Sequence, residues 1–81
     1  MRAYILIVVE PRMEEEVVKK LKKIKGIVEA EQIFGEYDVI AIAETESIAE
    51  LSRIIDKVRS KTKGVIRTST MITKESYRRL R

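Results

Sequence analysis

Apolar and polar positions along the 81-residue chain fall into a module of about forty residues that occurs twice. Each copy is an unbroken apolar run, a charged stretch with helical periodicity, and a Lys-Gly step into a further strand. Tyr4 to Val9 opens the first copy and Val39 to Ala43 opens the second, while Lys25-Gly26-Ile27-Val28 and Lys63-Gly64-Val65-Ile66 close them. The pattern predicts βαββαβ, a ferredoxin-like α+β sandwich. Two helices cover one face of a four-stranded antiparallel sheet in this plan. The two opening runs are apolar at every position, so both faces of those strands need cover. A second copy of the chain, packed sheet to sheet in a dimeric α/β-barrel-like assembly, is expected to supply it.

Met13, Val17, Leu21 and Ile24, with Val18 beside them, recur at helical spacing and predict a helix from about Met13 to Lys25, ended by Gly26. Ser47 followed by Glu50 has the form of a capping box, after which Ile48, Leu51, Ile54, Ile55 and Val58 make a second stripe as far as Lys63-Gly64. In strand two Glu29 and Glu31 alternate with Val28, Ala30 and then Phe34; in strand four Arg67 and Ser69 alternate with Ile66, Thr68 and Thr70. Partly polar strands suit sheet edges and continuous runs the centre, which gives the order 4-1-3-2. Gly35-Glu36-Tyr37-Asp38 is expected to form a tight hairpin between strands two and three. The basic end of the chain, residues 75–81, has no clear periodicity and reads as a short helix or a frayed tail.

At this length the chain is one small domain, of a size that gains from a disulfide, a metal or a partner. It has no Cys and no His, which leaves association as the expected staple and no metal site. Charged residues make up 37% of the sequence, Asn is absent and Gln32 is the only amide side chain, a composition that fits a hot environment. The first apolar run is short and ends in Glu10-Pro11-Arg12, unlike a signal peptide, and no stretch approaches a bilayer span. A cytoplasmic protein without membrane contact is expected.

The net charge of +4 does not define a nucleic-acid surface. Glu14 to Glu16 come first in the first helical segment and Lys19, Lys20, Lys22, Lys23 and Lys25 last, an order that complements the helix dipole. Without thiol or imidazole there is no Cys nucleophile and no Ser-His-Asp set, and the residues imply no cofactor and no enzyme. An RNA reader of this plan needs aromatic residues on the central strands, where only Tyr4 is present. Two segments hold candidate binding chemistry. In the hairpin, Gly35 allows close approach of another molecule and Asp38 offers an anion for an ammonium, although an ordinary turn explains both. Thr68, Ser69 and Thr70 carry hydroxyls that donate and accept, as a zwitterion requires, although simple β propensity is the favoured explanation of them.

Gly35-Glu36-Tyr37-Asp38 together with Gly64-Val65-Ile66-Arg67-Thr68-Ser69-Thr70 resembles the paired G-x-x-D hairpin and G-V-x-x-T-x-T strand of the effector-binding, or RAM, domain of Lrp/AsnC transcription regulators. The likeness spans nearly the whole chain, with residues 1–74 as the domain and 75–81 as a tail. It implies a homodimer, assembly of dimers into a larger ring, and an amino-acid effector held where dimers meet by Gly35, Tyr37, Asp38, Thr68, Ser69 and Thr70. Family regulators carry an N-terminal winged helix-turn-helix domain, which this sequence does not contain. It therefore resembles a stand-alone RAM protein, expected to act through oligomerisation and through full-length Lrp-like partners without binding DNA directly. The alternative expectation is an ACT-like regulatory subunit that controls an amino-acid metabolic enzyme.

Overall fold

A computed structural model describes residues 1–74; the basic tail at 75–81 lies outside the described residues. The elements run β1 (Arg2–Val9), α1 (Glu14–Leu21), β2 (Ile27–Gln32), β3 (Val39–Glu44), α2 (Ile48–Lys61) and β4 (Val65–Ile72). The sheet has the order β2-β3-β1-β4 with every neighbouring pair antiparallel. This is the βαββαβ plan and the 4-1-3-2 order that the apolar runs predict.

Strict alternation divides each central strand between two faces. Ala3, Ile5, Ile7 and Val9 of β1 and Val39, Ala41 and Ala43 of β3 are buried beneath the helices. Ala30 joins them from β2, and the helices contribute Val17, Leu21, Leu51, Ile54 and Val58. The other face presents Tyr4, Leu6 and Val8 beside Ile40 and Ile42, all half-buried with no element across them among the described residues. Among the described residues, one side of the sheet is thus a closed core and the other an open apolar surface.

The helices form for local as well as tertiary reasons. In α1 the acidic residues occupy the first turn and Lys19 and Lys20 the last, each opposite in sign to the dipole end beside it. The apolar stripe reaches Ile24, but α1 ends at Leu21. Beyond it the chain tightens into shorter steps, with Lys23 N–H donating to Lys20 O and Ile24 N–H to Leu21 O. At the start of α2 the Ser47 hydroxyl accepts from Glu50 N at 3.1 Å, and the Glu50 carboxylate accepts from Glu46 N at 3.2 Å. The box is therefore closed one residue before the cap rather than on it.

Both edge strands carry an extra residue. Ile27 and Glu29 pair with Ala43 and Ile42, which leaves Val28 bulged from β2; Val65 and Arg67 pair with Val9 and Val8, which leaves Ile66 bulged from β4. The tight hairpin expected at Gly35–Asp38 is instead a wider loop over 33–38, closed by Ile33 N–H donating to Asp38 O at 3.0 Å. Phe34, expected to continue strand two, stands on this loop at 105% relative exposure. An apolar residue after an edge strand imitates the strand pattern, and only the end of pairing to β3 separates the two.

No helix among the described residues is long and apolar enough to cross a membrane.

Two substitutions test this account by chemical denaturation. Ile7→Ala empties a wholly buried position on the central strand and is expected to cost about 2–5 kcal/mol; a loss below about 1 kcal/mol would mean that the layer beneath the helices is loosely packed. Gly26 has φ +99°, and an added Cβ would lie 2.5 Å from Ile54 Cδ1. Gly26→Ala is expected to cost about 1–3 kcal/mol through this backbone conformation, and unchanged stability would contradict it.

Candidate functional site

The loop over 33–38 returns the chain to β3 at the end of the sheet where β1 finishes and β4 starts. Asp38 joins these elements. Its N–H donates to Ile7 O at 2.9 Å, and its Oδ2 accepts from Val9 N at 2.8 Å. A carboxylate oxygen thus takes the place of a strand carbonyl beside the bulge between Val8 and Val9. Oδ1 has no hydrogen bond among the described residues. Next to it, Tyr37 lies half-buried with the Arg67 guanidinium 5.6 Å from its ring centroid, within cation–π range. Arg67 pairs with Val8, so register brings this cation to the strand end that Asp38 holds.

The remaining sequence candidates are distributed differently. Ser69 pairs with Leu6 and shares the open face with Arg67, two residues or roughly 7 Å along β4. Thr68 and Thr70 pair with Ile7 and Ile5, the positions buried against the helices, so their side chains belong to the opposite face. All three are half-buried. Gly35 is exposed with φ +128°, and nothing lies within 4 Å of where its Cβ would be. Tyr37, the neighbour of Asp38 in sequence, therefore meets Arg67, while Asp38 itself is held to the β1 backbone and forms no ion pair with Arg67; Gly35 and the three hydroxyl residues do not converge on one point within a single copy.

Arg67 was missing from the candidates read from sequence, where it counted only as the polar side of an edge strand. The usable signal is that it occupies the first open-face position after the Lys63-Gly64 step, level with the end of the first apolar run.

A surface cleft of about 700 Å³ runs along this edge between α2 and β4, lined in part by Asp56, Arg59, Ser60, Arg67 and Thr68. It gives Arg67 and Thr68 access to a small polar molecule from the edge. No group of three or more acidic, His or Cys side chains that would hold a metal occurs among the described residues.

At the other end of the open face Arg2 pairs with Glu44 across the strands, and its Nη2 lies 4.0 Å from a Glu29 oxygen. Its Nε donates to the Tyr4 hydroxyl at 3.1 Å. That hydrogen bond first, and then the nearby Glu44 and Glu29 carboxylates, hold the Arg2 pKa above its ordinary value. The arrangement borders the apolar strip with fixed charge.

Comparison with known proteins agrees with the fold. The family model described as the Lrp/AsnC ligand binding domain matches residues 2–81. The HTH-type transcriptional regulator FL11 of Pyrococcus furiosus is 40% identical over 70 residues, which cover 86% of this chain and 46% of that protein. The HTH-type transcriptional regulator LysM of Saccharolobus solfataricus is 32% identical over 72 residues, covering 88% of this chain and 50% of its own. The chain spans about half the length of the curated relatives it matches. The crystal structure of the hypothetical protein PHS023 from Pyrococcus horikoshii superposes with a TM-score of 0.83 at 34% identity, over 94% of this chain and 92% of that one. These relatives come from thermophilic archaea, in keeping with the Lys- and Glu-rich composition without Asn. A βαββαβ layer, a G-x-x-D loop joined to the end of its central strand, and a family match along the chain lead to one assignment: the chain belongs to the Lrp/AsnC ligand-binding domain family.

Proposed function

We propose that this chain is the effector-binding module of a transcription-regulatory system, that its ligand is an amino acid, and that binding acts by changing how copies assemble. The observation that carries the reading is the contact of Tyr37 with Arg67 beside Asp38, at the strand end that Asp38 holds. A free amino acid has a carboxylate and an ammonium on one carbon. Arg67 offers the planar donor fork that suits the first. Asp38 Oδ1 offers an acceptor for the second, and the half-buried Tyr37 ring stands beside the Arg67 cation. Ser69 contributes a hydroxyl on the same face, while Gly35, Thr68 and Thr70 complete the site only where another copy brings them to the ligand.

Assembly follows from the open face. Tyr4, Leu6, Val8, Ile40 and Ile42 form a continuous apolar strip bordered by Arg2, Glu29 and Glu44, the composition of a subunit interface. A second copy laid sheet to sheet would remove that strip from water. A ligand held at a contact between copies shifts the assembly equilibrium by its differential affinity for the assembled state. Full-length Lrp-like regulators present the same domain and are the natural hetero-partners. Regulation of this kind requires no catalytic step.

Asp38 separates ligand binding from folding. Asp38→Asn keeps an oxygen for Val9 N–H but removes the charge, so stability should change by less than about 1 kcal/mol while affinity for the amino acid falls at least about tenfold in calorimetry. Asp38→Ala should lose the affinity and also about 1–3 kcal/mol, because the Val9 N–H is left without its partner. If none of the twenty amino acids at millimolar concentration gives a heat of binding or a thermal shift, the effector reading is wrong.

Leu6→Glu places a carboxylate in the middle of the apolar strip and should abolish sheet-to-sheet pairing, read in sedimentation velocity as species smaller than those of the wild type. A wild-type protein that sediments as a stable monomer at micromolar concentration rules out sheet-to-sheet pairing.

A further inference from the structure

Phe34 is the most exposed large apolar side chain described, and at 105% relative exposure it touches nothing in its own copy. It projects from the loop over 33–38, flanked by Gly35, around which no atom comes within 4 Å of a Cβ, and by the exposed carboxylates Glu31 and Glu36. Neither carboxylate has a cationic partner among the described residues. A fully exposed phenyl ring on a narrow loop resembles an interface anchor before its partner arrives.

The helical layer contains a groove of the opposite kind. Between the C-terminal part of α1 and that of α2 lies a cavity of about 300 Å³, a size that takes one aromatic side chain, walled by Ile24, Thr62, Lys20, Lys23, Lys57 and Lys61. Ile24 and the lysine stems supply apolar lining, Thr62 and the lysines polar lining, and four of its six lining residues are lysines. No carboxylate lines it, and none of these lysines forms an ion pair among the described residues. Like charges converging around a partly apolar hollow are relieved by an occupant that is aromatic at its tip and acidic on its flank. This chain carries such an element in Phe34 and Glu36.

We infer that the loop over 33–38 of one copy seats Phe34 in the interhelical groove of another copy, with Glu36 opposite the lysine rim. The contact is heterologous, since loop and groove are different surfaces, so each copy gives a loop to one neighbour and a groove to another. It uses the helical side of the molecule and leaves the apolar sheet face free, so pairing through that face and this contact combine into assemblies larger than a dimer. It also needs no effector, and its test is carried out without added amino acid, so its failure is distinguishable from failure of the effector reading.

The experiment is sedimentation velocity on the full chain at low salt with wild type, Phe34→Ala, the pair Lys57→Glu with Lys61→Glu, and a mixture of the two variants. Wild type should form species larger than the dimer. Phe34→Ala should weaken that association by roughly 30-fold, as truncation of an interface anchor does, and the double Glu variant should lose it. The mixture should regain large species, because one variant retains a working groove and the other a working loop. Circular dichroism melts of the variants matching wild type would exclude misfolding as the cause. Wild type that stops at the dimer, a Phe34→Ala variant that assembles normally, or a mixture without recovery overturns the inference. So does a groove that retains duplex DNA with Phe34→Ala and loses it with the lysine reversals while assembly is unchanged, since the lysines would then serve a polyanion.

Discussion

β1 is apolar at every position from Ala3 to Val9, and the two helices reach only alternate ones. This constraint determines most of what surrounds it. Burying Ile5 and Ile7 under the helices necessarily turns Tyr4, Leu6 and Val8 the other way, and the matching run in β3 adds Ile40 and Ile42. A shift of pairing by one residue would exchange the two sets without reducing the apolar total, because neither face of these strands is polar. Register must therefore be held by other means. Ala41 and Ala43 give the helical side small residues that the larger aliphatics of the open side cannot replace without overpacking. Arg2 with Glu44 fixes one end of the β1–β3 pair and Asp38 with Val9 the other.

The two ends differ in consequence. The Arg2 arrangement is exposed and ionic, and pairs of this type contribute little to stability in water. Its value is positional, since it closes the apolar strip with charge. The Asp38 arrangement is a half-buried carboxylate on a backbone donor, stronger than a neutral hydrogen bond and aligned with the ladder. It also brings the loop, and with it Tyr37, up to Arg67. A structural bond and candidate ligand chemistry thus share one side chain.

Different parts of the molecule were legible in the sequence to different degrees, for physical reasons. The central strands were plain because an apolar run of that length bounded by Glu10-Pro11 or Glu44 has few other solutions. The capped start of α2 was plain because Ser47 and Glu50 act within one turn. The end of α1 was not, since Ile24 continues the apolar stripe although the backbone has already tightened. Phe34 misled for the opposite reason: an aromatic after alternating residues reads as strand, and only loss of pairing partners places it in a loop. Arg67 meets Tyr37 through a cross-strand register between residues thirty positions apart in sequence, which local periodicity does not encode. For the same reason Thr68, Ser69 and Thr70 read as one cluster in sequence but divide between faces in the sheet.

Val28 and Ile66, the bulged residues of the two outer strands, have a consequence beyond local geometry. A flat outer strand rich in valine and isoleucine is a template on which further chains add without limit, and heat makes such growth faster. A kink in each border spoils the spacing that an incoming ribbon would have to match. The protein can therefore carry an oily sheet and still be steered toward closed, countable assemblies rather than fibres.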